Sequence, residues 1–102
     1  MSTMPGFFAD RAALELLRQR ERFSWFARQL ETRITSDIEL LRNHLNGSQS
    51  RPGQREKALV ALALLGTPDA GESIAEFDPG DDDALSVFHA IAADVWAHRM
   101  AG

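Results

Sequence analysis

The side chains that could do chemistry are few. His44, His89 and His98 are the only histidines. On a helix, Asp94 and His98 stand four residues apart on one face and could offer two ligands to a metal. A zinc site needs three or four, and there is no His-Glu-x-x-His, no second ligand pair and no cysteine to supply the rest. His44 and His98 read instead as last-turn residues, where a cation offsets the helix dipole. Asp78, Asp81, Asp82 and Asp83 form an acidic cluster, but their spacing does not fit an EF-hand loop. Acidic residues there are explained by capping the start of a helix. A Gly-x-Ser-x-Gly turn is absent, no glycine-rich phosphate loop precedes a helix, and the carboxylates are too scattered to form a catalytic pair. The expectation is a protein with no catalytic centre, no metal and no cofactor, hence not an enzyme.

The elements around these residues read as helices throughout. Turn formers gather in three places, Asn46 to Gly53, Gly66 to Gly71 and Asp78 to Gly80. No window alternates with period two for long enough to suggest a strand. A first helix is expected from Asp10 to Asn46, with residues 1–9 as an N-terminal tail. Its apolar residues Leu16, Phe23, Ala27, Leu30, Ile34, Ile38, Leu41 and Leu45 keep one phase at a mean spacing of about 3.6 residues. Ser36-Asp37-Ile38-Glu39 matches a capping box and would allow a break near Thr35-Ser36. The unbroken phase favours one continuous helix, roughly 50 Å long.

Residues 47–53 read as a loop and residues 54–102 as a three-helix part. Its first helix, ending at Leu65, carries Ala-Leu-Val-Ala-Leu-Ala-Leu-Leu, apolar on every face, so it must be surrounded. Thr67-Pro68 opens a short helix to about Phe77, and Asp78-Pro79 is expected to open the last one. The stretch Ala58 to Ala70 resembles a HEAT-like repeat unit. The resemblance spans barely one and a half repeats where about three are needed, so it carries no functional implication.

The first helix carries a second face. Leu14, Trp25 and Leu40 fall opposite the main stripe, together with Arg11, Arg18, Arg22 and Gln29. Exposed tryptophan and arginine are typical of binding hot spots. Leu14, Arg18, Arg22, Trp25, Gln29 and Leu40 are therefore the expected partner-binding residues. Three short helices would also struggle to cover both a 50 Å helix and an all-apolar one, and uncovered apolar surface points to an oligomer or partner interface. A two-fold homodimer pairing the long helices is the simplest closed solution.

The composition agrees with a single helical domain of 102 residues, 44% hydrophobic and 25% charged. Residues 1–57 hold ten Arg and Lys against seven Asp and Glu, a net of +3; residues 58–102 hold one against eight, a net of −7. The arginines of the basic half are interleaved with Glu15, Glu21, Glu31, Asp37 and Glu39, which reads as a salt-bridged helix and argues against nucleic acid. The absence of cysteine, of a signal peptide and of a long apolar run leads to an expected cytoplasmic place, away from membranes.

In size, in lacking cysteine, and in setting a long N-terminal helix with Phe23, Trp25 and Phe26 ahead of shorter helices, the chain resembles the small all-helical antiactivators of LuxR-type quorum-sensing regulators. The resemblance implies a bacterial homodimer that binds a transcription regulator and blocks its dimerisation or its DNA binding. The expected protein is all-α, one long N-terminal helix plus three shorter ones in an irregular bundle, a homodimer working by protein–protein binding. The alternatives are a secretion or assembly chaperone that holds an amphipathic helix, and a DNA-binding regulator.

Overall fold

A computed structural model describes residues 3–30, 33–47, 51 and 53–102, with side chains from Arg11 onward. It contains five helices: α1 (Thr3–Leu30), α2 (Ile38–Asn46), α3 (Gln54–Leu65), α4 (Pro68–Glu76) and α5 (Asp83–Ala101). The fold is an all-α bundle of five helices, and the expected single helix over 10–46 is two. Arg33 N–H closes a turn on the Leu30 carbonyl, and Asp37 becomes an N-cap whose carboxylate accepts from Leu40 N–H at 3.1 Å. Thr35 Oγ1 in turn accepts from Asp37 N–H. These side chains give the backbone an alternative to the helical ladder, which is how Thr and Asp end helices. The hydrophobic stripe stays in phase because α1 and α2 both turn their apolar sides to the same neighbour, α3.

The break changes what must be covered. Folding α2 back against α3 brings Leu41 and Leu45 into the core, so no 50 Å rod is left exposed. The start also differs from expectation: α1 begins at Thr3, so Asp10 lies inside it and the tail expected over 1–9 is largely helical. Of the expected loop at 47–53, positions 48–50 and 52 lie outside the described residues.

α3 sits at the centre, in contact with α1, α2, α4 and α5. Ala58 to Ala63 are buried in an unbroken run, as an all-round apolar helix demands. Gly66 closes α3 in the left-handed conformation (φ 62°) that glycine adopts without strain. Thr67 then caps α4 through Ala70 N–H, with Pro68 in the first turn. α5 starts later than Asp78-Pro79 suggests. Gly80 N–H bonds Asp78 Oδ1 in a turn, and Asp82 is the cap, accepting from Leu85 N–H at 3.0 Å.

Packing of α4 on α5 is tight at one point. Gly71 lies under Trp96, where a Cβ would overlap the indole ring. Trp96 Nε1 donates to the Thr67 carbonyl at 2.7 Å. At the other end, Phe23, Phe26 and Phe88 form an aromatic cluster that joins α1 to α5.

Candidate protein-binding surface

α1 has two sides of different character. Gln19, Phe23 and Phe26 are buried, and Leu30 is half-buried behind them. Around the helix from this stripe, Leu14 is 60% exposed, Leu17 54% and Trp25 52%. Leu16, expected in the core, is itself exposed, because it stands at the edge of the stripe above an open groove between α1 and α5. That groove, about 490 Å³, is lined by Leu16, Phe23, Ile91 and Val95, with Arg20 and Asp94 on its sides.

The structure brings together some of the expected partner-binding residues and separates others. Leu14, Arg18, Trp25 and Gln29 stand exposed along α1. Arg22 does not join them as a free group. It lies over the Phe88 ring at 5.5 Å and reaches across to Glu56 of α3, Nη2 to Oε2 2.9 Å. Its Nη1 also donates to Gln19 Oε1, while Gln19 Nε2 donates to Glu15 Oε2. This chain of bonds explains how a glutamine can be buried in α1, since every polar atom finds a partner. Leu40 is exposed, but on α2, across the break from the others. Leu17 lies on the flank between the main stripe and the opposite face, about 60° around the helix from Leu14, so neither set includes it. Its three-residue spacing from Leu14 is the signal that could have found it.

The residues first weighed for chemistry have structural partners. His89 Nε2 donates to the Ile74 carbonyl at 2.6 Å and its ring stands edge-on to Phe77. Gln54 Nε2 donates to His44 Nδ1 at 2.6 Å. His98 Nδ1 donates to the Asp94 carbonyl one turn back. Asp78 and Asp82 are occupied in the turn and the cap of α5. Among the described residues no group of three or more His, Cys, Asp or Glu is placed to hold a metal ion, and no helix is long and apolar enough to cross a membrane.

The Thr67 hydroxyl, followed by backbone N–H groups, holds Asp69 below its ordinary range at the start of α4.

Comparison with family models, with curated proteins and with solved structures finds no match for this chain.

Proposed function

We propose that this protein is a small regulator that works by protein–protein binding, a homodimer when by itself, whose outward side of α1 is the surface that docks on a larger partner. One observation carries the reading. Six large apolar residues are exposed among the described residues, and three of them, Leu14, Leu17 and Trp25, share the outward side of α1. A single exposed leucine is ordinary, whereas a contiguous set on one helix marks a contact surface. Trp25, with Arg18 on the same side, has the composition of a hot spot. An amphipathic helix of another protein is the complement such a face suits. The resemblance to antiactivators makes a LuxR-type transcription regulator, sequestered in the cytoplasm, the first partner to seek. No catalytic step is part of this proposal.

The test is capture from the source cell with tagged wild-type protein and a Leu14→Ala/Trp25→Ala variant. A transcription regulator should be retained by the wild type and lost by about tenfold or more in the variant, at unchanged helical circular dichroism. Equal retention by both would remove α1 as the docking element.

A second reading, a chaperone for an amphipathic helix, is favoured by the α1–α5 groove with its apolar floor and its Arg20 and Asp94 sides. Recovery of an exported protein, lost on Ile91→Glu but kept on Trp25→Ala, would select it. The DNA-binding alternative is weakened on α1, where Arg18 and Arg22 are paired with Glu15 and Glu56.

A further inference from the structure

We infer that the outward face of α1 is covered, in the protein by itself, by α1 of a second copy running antiparallel, with Leu14 on Trp25 of that copy and Arg18 on its Glu21. The inference rests on the reading of α1 as the binding element and names what occupies it.

Leu14, Arg18, Glu21 and Trp25 follow one another at intervals of 4, 3 and 4 residues. That is the alternation of a coiled-coil seam. At 100° per residue the four lie within an arc of about 60°, turned away from the buried Gln19, Phe23 and Phe26. All four are exposed, and so are Leu17 and Ser24 beside them. A second helix can therefore approach along the whole face without displacing anything.

Direction follows from the order of the residue types. In a parallel pair each seam position meets its own copy, which would stack Arg18 on Arg18 and Glu21 on Glu21. In an antiparallel pair with its two-fold axis midway between Gln19 and Arg20, position 14 meets 25 and position 18 meets 21. The layers between residues 14 and 25 are then complementary: leucine against tryptophan, arginine against glutamate, each occurring twice by symmetry. The next layer outward sets Arg11 against Arg28 and ends the seam there. The polar pair is also available for the exchange. Arg18 is held only by Glu15, at 3.7 Å with its side chain 69% exposed, and Glu21 makes no ion pair among the described residues. Like charges brought face to face across an interface cost several kcal/mol, so the inner layers set the register while Leu14 and Trp25 supply the apolar contact.

Charge reversal tests this pairing. Arg18→Glu and Glu21→Arg should each weaken the dimer by about tenfold or more in sedimentation equilibrium, because each faces like on like twice. Mixed in equal amounts, the two variants should form a heterodimer close to wild-type strength, since Glu at 18 of one then meets Arg at 21 of the other. Both positions are exposed, so circular dichroism should stay unchanged and exclude unfolding as the cause. A wild-type dimer that tolerates either reversal, or a mixture that fails to recover, overturns the antiparallel pairing and leaves docking of other proteins intact. A wild-type monomer at about 100 μM overturns both the pairing and the homodimer. The capture experiment would still decide the docking of a different partner.

Discussion

Trp25 and Phe23 stand two residues apart on α1, and their surroundings differ sharply. Phe23 is 6% exposed and its ring meets Phe88 at 5.6 Å between centroids; Trp25 is half exposed and touches only the edge of Phe26 within the aromatic cluster. Phe23→Ala should therefore cost about 3–5 kcal/mol of stability, read from urea denaturation. Trp25→Ala should cost about 1 kcal/mol or less and act mainly on association. Equal losses would place Trp25 in the core and remove the outward face from the argument. Gly71 gives a second residue-scale expectation. A methyl group there would meet the Trp96 ring, so Gly71→Ala should lower stability by about 1–3 kcal/mol and shift tryptophan fluorescence as the Thr67 hydrogen bond is disturbed. Unchanged fluorescence and stability would mean that α4 and α5 separate more easily than their packing indicates. Trp96 was legible only as an apolar face residue; its dependence on a glycine 25 positions away could not be read from spacing.

Among the elements, the junction of α1 and α2 is the informative one. If Asp37 caps α2 through Leu40 N–H, Asp37→Ala should cost about 1 kcal/mol. In an uninterrupted helix the same change would be neutral or stabilising, because alanine is the better helix former. A thermal melt distinguishes the two. The break illustrates what periodicity can and cannot report. Ile34 and Ile38 stay in phase with Phe23 and Leu45 because all of them pack into one core, and a core does not record whether the backbone between its contributors is helical. The local chemistry of Thr35 and Asp37 held the answer and was outweighed by the longer pattern. α3 and α4 were legible almost to the residue, since Gly66 and Thr67-Pro68 punctuate them unambiguously. α5 was placed early because Asp78 and Asp82 are both plausible caps, and only the turn at Gly80 decides between them. On the surface face, Leu14 and Trp25 were legible from the helix wheel. Arg22 and Leu40 were not, since one reaches inward over Phe88 and the other rides on a separate helix.

For the whole molecule, EDTA should leave both the helical signal and the melting temperature unchanged, because among the described residues no three His, Cys, Asp or Glu side chains gather to hold an ion. A shift of several degrees reversed by one added metal would overturn this. The Asp69 contribution gives a pH expectation of definite sign. Its carboxyl is held below the ordinary range, so its stabilisation is present above the usual carboxylate pKa and fades only as pH falls through the depressed value. Asp69→Asn should therefore flatten the acid limb of the stability profile and leave behaviour between neutral and alkaline pH parallel to the wild type. The enclosure of α3 by four other helices has a kinetic consequence. Its backbone amides can meet deuterium only when the bundle opens as a whole, whereas those near residues 11–18 need no more than a local opening of α1. Deuterium uptake in α3 would then report the global unfolding free energy. Uptake at residues 11–18 would instead slow as protein concentration rises, giving a readout of how often the outward face is covered.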